Sequence, residues 1–337
     1  MLKKLLKIKR VFAKNTIGRA ITENPLINWS LWIIVVFLLT AFPLQRVYPI
    51  AKTVIVIQSR QMKAYNDTVE GFTRECDNRN IFVKTVYDLK GNIEEGRRVL
   101  QNIKESKGKP DLVFSVGVLA TTLARDYFPD IPIIFSLVIN HEQLNLAGAN
   151  ISGISLEAPL EKQFATFKKE FGLLRNIGII YNSRQSAAFI TKIVSEAKKS
   201  QFTIVEKEVK KQNELSSTLK RLSKKIDALL LIPDELVVTK KSLSIILKVS
   251  RKHRIPVFCG SSAIVKAGAL FSISPDFTCT GRQASQMAQT LLQNPEMLSL
   301  GIQDPEKLRL TLNTETAKDI GISLSSFLSR FDIHLYP

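Results

Sequence analysis

From residue 53 onward, short runs of apolar, mostly β-branched residues alternate with longer stretches in which apolar residues recur every three or four positions. The short runs predict strands at 53–58, 81–87, 111–115, 132–136, 176–181, 202–206, 227–232, 256–259 and 269–274. The longer stretches predict helices at 64–79, 93–106, 160–171, 186–200, 215–225, 238–253 and 281–292. Such alternation is the pattern of βα units, so the chain is expected to be α/β with parallel sheets. Leu229-Leu230-Leu231-Ile232 and Ile177-Gly178-Ile179-Ile180 are apolar almost throughout rather than at every other position, as strands are when helices cover both faces of a sheet. The strands are too many for one modest sheet. The Asn- and Gly-rich stretch 141–154 interrupts the pattern and is a candidate for carrying the chain into a second lobe.

The first fifty residues follow a different pattern. Lys3, Lys4, Lys7, Lys9, Arg10, Lys14 and Arg19 make 1–24 a basic segment, and 25–45 then carries no ionisable charge and includes the apolar run from Leu31 to Leu39. Some 20 apolar residues at about 1.5 Å rise span a hydrocarbon core of about 30 Å. The segment 25–45 therefore reads as a transmembrane helix whose basic flank stays in the cytoplasm, with Trp29, Trp32 and Tyr48 placed as interfacial anchors. A cleaved secretory signal is the competing reading. Thr40-Ala41-Phe42-Pro43-Leu44 offers no small-x-small cleavage site, and no cysteine stands nearby to take a lipid, which favours an uncleaved anchor.

Composition narrows the chemistry. With 45% hydrophobic and 23% charged residues over 337 positions, the chain is globular and long enough for about two domains. Its formal net charge of +18 invites a nucleic-acid reading, but pairs such as Lys198-Lys199, Lys224-Lys225 and Arg251-Lys252 fall on helices without interleaved aromatics. They read as solvated helix faces, and no nucleic-acid partner is expected. Cys76, Cys259 and Cys279 have no metal-ligand spacing, and no metal or cofactor is expected. His141, His253 and His334 stand away from the strand ends, and no P-loop, complete G-x-G-x-x-G or nucleophile elbow occurs. No catalytic residue is assigned, and the chain is not expected to be an enzyme.

Ligands of open parallel sheets bind beyond the carboxyl ends of the strands. Those positions here are rich in small polar residues, among them Gln58-Ser59, Ser115-Val116-Gly117, Ser136, Asn182-Ser183, Asp234, Ser261 and Asp276. They suit a hydrogen-bonding cleft for a small polar ligand. The same residues are ordinary N-caps and turn formers, which is the bland explanation for any one of them.

Several segments stand in an order that points to a family. These are Asp67-Thr68-Val69-Glu70-Gly71-Phe72, Asp111-Leu112-Val113-Phe114-Ser115-Val116-Gly117, Ile131-Pro132-Ile133-Ile134-Phe135-Ser136 and Asn150-Ile151-Ser152-Gly153-Ile154-Ser155. Gly268-Ala269-Leu270-Phe271-Ser272 through Gly281-Arg282-Gln283-Ala284, and Leu312-Asn313-Thr314-Glu315-Thr316-Ala317, follow. From about 53 to 324 the chain resembles ABC-transporter substrate-binding proteins of the tryptophan- and tyrosine-binding kind, with a type I periplasmic-binding-protein fold. The resemblance implies two Rossmann-like lobes joined by a hinge, lobe 1 over 52–140 plus 259–300 and lobe 2 over 141–258 plus 301–330. It implies a site of Gln58, Ser59, Met62, Ser115, Gly117, Thr121, Ser136 and Val138 from lobe 1, with Asn182, Ser183, Ser186, Asp234, Ser261 and Asp276 completing the cleft. Amides opening the helices after Gly117 and Asn182 would hold a carboxylate and Asp234 an ammonium, so an amino acid or related zwitterion is the expected ligand. The partners implied are ABC permease subunits, and the place is the bacterial inner membrane, with the binding domain periplasmic or extracellular. A membrane-tethered sensor signalling to a partner protein would use the same fold. The sequence departs from the family pattern at Leu156-Glu157, at Glu235-Leu236 after Asp234, and at Ser261.

Overall fold

The computed structural model describes residues 52–106, 108–139, 141–144, 146, 148–323, 325 and 333–337. The basic segment 1–24 and the apolar segment 25–45 lie outside the described residues, among which no helix is long and apolar enough to cross a membrane.

Lys52–Pro337 form one compact unit built on two sheets. The first contains β1 (Thr53–Gln58), β2 (Phe82–Asp88), β3 (Leu112–Val116), β4 (Ile133–Ser136), β5 (Ile151–Ile154) and the short β11 (Ile302–Gln303), in the order β11-β5-β4-β3-β1-β2. All of its pairings are parallel. α1 (Lys63–Asn78) and α9 (Phe277–Gln293) cover one face, where Val54, Val56, Leu112, Phe114 and Ile134 meet Phe72, Ala284 and Met287. α2 (Ile93–Glu105) and α3 (Val118–Tyr127) cover the other, where Ile55, Ile57, Val113 and Ile133 meet Leu100, Leu123 and Ala124. Burial on both faces is why these strands are apolar throughout.

The second sheet runs β13-β12-β10-β9-β8-β6-β7. It comprises β6 (Asn176–Tyr181), β7 (Thr203–Glu208), β8 (Ala228–Leu230), β9 (Val257–Cys259), β10 (Phe271–Pro275), β12 (Leu308–Asn313) and β13 (Ile333–Tyr336). β12 is antiparallel to β10, and the other pairings are parallel. One face packs on α4 (Leu160–Glu170), α5 (Ser183–Lys199) and α10 (Thr314–Ile320), around a cluster of Phe164, Phe167, Phe171, Phe258 and Phe271. The other packs on α6 (Leu215–Leu222), α7 (Lys240–Lys252) and α8 (Ser262–Lys266).

Strand pairing moves the hinge away from the positions expected near 140, 259 and 300. The stretch 141–154 does not leave lobe 1: Ile151–Ile154 is β5, which lies beside β4 because Gly153 leaves room for the Phe135 ring. Residue 259 lies inside lobe 2, where β9 joins β8 to β10. The chain crosses at 155–159, at 275–277 and at 304–307, giving lobe 1 as 52–154 plus 277–303 and lobe 2 as 160–275 plus 308–337. The apolar runs are alike in both sheets, so only their hydrogen-bonded neighbours reveal which sheet each joins.

Candidate functional site

β5 leaves its carboxyl end at Ile154 and enters lobe 2, while β10 leaves its carboxyl end at Pro275 and enters lobe 1. The carboxyl edges of both sheets therefore abut the hinge and face the cleft between the lobes, the place where such sheets bind ligands. In lobe 1 the exposed Met62, Val118 and Ile139 follow β1, β3 and β4, which are neighbours in the sheet, so the edge carries an apolar stripe. The exposed Val238 follows β8 in lobe 2.

Several expected site residues of lobe 1 are occupied with holding α3. Ser59 Oγ donates to Val116 O and accepts from the Ala120 amide, each at 3.0 Å, so it caps the helix. Thr121 Oγ1 donates to Gly117 O at 2.9 Å and lies 3.0 Å from Ser115 Oγ, and both residues are buried on the α2/α3 side of the sheet. Gly117 turns with φ +88°, where a side chain would be strained and would collide with Tyr65 and Ser59. Val138 packs inside a small apolar cluster with Phe135, Leu146 and Ile151. Gln58 and Ser136 are buried at the ends of β1 and β4, and Ser136 Oγ has no hydrogen-bond partner among the described residues.

In lobe 2 the expected ammonium acceptor is committed elsewhere. Asp234 is 3% exposed; its Oδ2 accepts from the Asn182 amide at 2.8 Å and Ser186 Oγ at 2.9 Å, and its Oδ1 from the amides of Leu236 and Val237. Four donors satisfy both oxygens, so the carboxylate ties the start of α5 to the loop after β8, and the expected zwitterion clamp at Asp234 is replaced by a cap. Ser183 opens α5, with its side chain outside those described. Ser261 begins α8 without a side-chain cap, next to Gly260, whose Cβ position is open space. Asp276 caps α9 through the Cys279 amide and binds Arg309 at 3.1 Å, with Lys307 at 3.7 Å. A broad surface groove between α4 and α5, lined by Leu160, Ala165, Thr191 and Ser195, holds none of these residues.

A family model described as ABC transporter substrate binding protein matches residues 87–331 of this two-lobed, parallel-sheet fold. The chain belongs to that family. This substrate-binding protein is 26% identical over 218 residues to the tyrosine-binding protein of Clostridioides difficile (strain R20291), across 62% of its own length. The match spans 63% of that relative's length. Among solved structures, the ligand-free, open form of a substrate binding protein with adhesive properties from Clostridium difficile superposes with a TM-score of 0.72 at 22% identity, over 85% of this chain and 99% of that one. An ABC domain in complex with L-Trp from Streptococcus pneumonia gives 0.60 at 17% identity, over 85% and 99% of the two chains. Both show the α/β periplasmic-binding-protein fold.

Three groups near the hinge of this substrate-binding protein went unnoticed as site residues in the sequence. Glu157, on the first crossing, has its carboxyl pushed up by burial and by the Glu142 charge, with Lys192 acting the other way, and no side-chain partner among the described residues. Arg309 lies on β12, a strand the apolar pattern did not predict. Tyr65 stands one turn into α1 with its hydroxyl over Gly117. Glu142 and Lys192 form an ion pair of 3.3 Å between the β4–β5 connection and α5, linking the lobes. His141 beside them has its pKa lowered, by burial first, with Glu142 opposing and Lys192 adding. All three cysteines are free and buried; burial pushes the Cys76 thiol up to about 11 and the Cys259 thiol up to about 12.

Proposed function

We propose that this protein is the extracytoplasmic solute-binding component of an ABC importer, closing its lobes on an amino acid or a related zwitterion, and that it is not an enzyme. The observation that carries the reading is the convergence of both carboxyl sheet edges on one hinge, where hydrogen-bonding groups alternate with the exposed apolar Met62, Val118, Ile139 and Val238. A ligand with a charged end and an apolar side chain suits that mixture better than a sugar. The names of the tyrosine-binding relative and the L-Trp complex support the same class. With Asp234 fully bonded, the half-buried Glu157 is the carboxylate left to meet an ammonium group. The basic, then uncharged, N-terminal sequence supports attachment to a membrane with the two lobes outside, facing permease subunits. The same segment favours, as the second reading, a tethered sensor that reports occupancy to a membrane partner.

The test is a thermal-shift series on the full chain in detergent, stripped of co-purified ligand, against amino acids, sugars and nucleosides. A ligand at one hundred times its Kd stabilises the native state by about 2.7 kcal/mol, which moves the midpoint plainly. An amino acid that raises the midpoint, with sugars inert, supports the reading. A folded protein that responds to sugars alone, or to nothing, removes it.

A further inference from the structure

Beyond residue 51 the excess positive charge belongs almost entirely to one lobe. Lobe 2 carries 25 lysines and arginines against 12 aspartates and glutamates, whereas lobe 1 carries 14 against 13. Much of that excess gathers at one end. β6, β7, β8 and β9 are neighbouring parallel strands, and α4, α5, α6 and α7 each lead into one of them. Each helix therefore runs back from the cleft and finishes at the amino edge of the sheet, the pole of lobe 2 that points away from the cleft. α4 ends on Lys168-Lys169 and α5 on Lys198-Lys199, on one face of the sheet. α6 ends on Lys220-Arg221 and α7 on Arg251-Lys252, on the other face. All eight residues are exposed, as are Lys224 and Lys225 just after α6.

Three of the eight meet a carboxylate: Lys169 lies 3.9 Å from Glu170, Lys199 2.6 Å from Glu196 and Arg251 3.1 Å from Asp319. The other five are in no ion pair among the described residues. Asp227, also at this edge, is engaged by the amides of Arg175 and Asn176. A cation in a last turn complements the helix dipole, which explains any one pair. The dipole does not explain the contrast between lobes. α1 and α9, with 16 and 17 residues, have no basic residue in the last turn, and α2 and α3 have one each. Like charges gathered at one end repel one another, a cost that a partner of opposite charge relieves.

We infer that this pole of lobe 2 is a docking surface for a linear phosphate polymer. The cations stand on four separate helix ends around an edge four strands wide, with about 4.8 Å between strands, so one small anion cannot meet them all. A flexible chain of phosphates can, and each contact raises the local concentration for the next. No phenylalanine, tyrosine or tryptophan of lobe 2 is exposed among the described residues, so nucleic-acid bases would find no stacking platform there. The chain enters at Thr53 on the amino edge of lobe 1, and the basic pole is the amino edge of lobe 2, so the two stand at opposite ends of the pair of lobes. That placement suits a polymer, which can reach either end, better than a bilayer.

The experiment is lysine acetylation of the full chain, held in phosphatidylcholine nanodiscs and read residue by residue by mass spectrometry, with and without long-chain inorganic polyphosphate. Acetylation of Lys168, Lys198, Lys220 and Lys252 is expected to slow by about threefold or more, while Lys63, Lys84 and Lys104 of lobe 1 keep their rates. Orthophosphate at the same phosphate concentration should protect none of them. Raising salt from about 50 to 200 mM should remove the protection, because several phosphate contacts weaken together. In a chain carrying Lys220→Gln, Arg221→Gln, Lys224→Gln and Lys225→Gln, protection of Lys168, Lys198 and Lys252 should fall as well, because one polymer spans the pole. Lys198→Gln with Lys199→Gln, on the other face of the sheet, serves the same purpose should the first variant melt below the parent. Equal protection across both lobes, protection by orthophosphate, or full protection of the remaining lysines in a folded variant overturns the docking surface. Protection by single-stranded DNA or by anionic vesicles, but not by polyphosphate, also overturns it and gives the pole to that partner.

Discussion

At Asp234 the four donors around one carboxylate, two of them from the start of α5, make a knot inside lobe 2. Removing it strands buried amides and a hydroxyl, so Asp234→Ala should cost about 2–4 kcal/mol in urea unfolding. An unchanged stability together with lost ligand binding would return Asp234 to the ligand site. Glu157 should behave in the opposite way. Its folded-state pKa is raised, so the native state binds more protons than the unfolded one through that window, and ionising it lowers stability as pH rises from the ordinary carboxylate range toward the raised value. Glu157→Gln is therefore expected to raise the melting temperature of the free protein at pH 7 while weakening amino-acid binding. Melting curves at pH 4 and pH 7, with and without ligand, check this, and a variant less stable at pH 7 contradicts it.

Between elements, α1 and α9 approach closely in lobe 1, and two glycines permit it. A Cβ on Gly71 would overlap the Thr278 carbonyl, and one on Gly281 would overlap the Thr68 carbonyl and the Phe72 amide. Both obstacles are backbone, so neither can swing aside. The pairing matters because α9 is the element by which the chain returns to lobe 1 at the hinge, and it brings Ala284, Met287 and Leu291 into the core against α1. Gly281→Ala should gain about 1 kcal/mol in helix propensity yet lose about 3 kcal/mol by overpacking against backbone, a net destabilisation readable in the denaturation midpoint. A neutral or stabilising outcome would mean the helices part without cost.

Across the whole molecule, the hinge is held by groups from both lobes. Asp276 caps a lobe 1 helix while Arg309 and Lys307, on and beside a lobe 2 strand, grip the same carboxylate. Gln283 on α9 accepts from the Glu306 amide and donates to Asp304 O in the third crossing. Burial tends to raise the Asp276 pKa, but the Cys279 amide, Arg309 and Lys307 outweigh it and the net shift is downward. Its contribution is thus present above the ordinary aspartate value of about 3.9 and lost as pH falls through the lower folded-state value. Asp276→Asn should melt below the parent at pH 7, with the gap closing in acid below the ordinary aspartate range, as the parent carboxylate also protonates. A gap that persists in acid would assign the loss to packing rather than charge.

The alternation of continuous apolar runs with amphipathic stretches determined the α/β class and most helices and strands, because burial of a strand on both faces writes itself into consecutive residues. The order of motifs was enough to suggest the family. Short elements were not legible: α3 follows β3 with only Gly117 between, and β5 has four residues in a stretch that reads as loop. The hinge positions and the capacity of the site were decided only by tertiary structure. Which sheet an apolar strand joins depends on partners far away in sequence, as β9 and β10 show. Whether a polar residue at a strand end is free for a ligand depends on what its neighbours already donate: Ser59 and Asp234 are spent, while Ser136 has no side-chain partner among the described residues, and nothing in their local sequence distinguishes them.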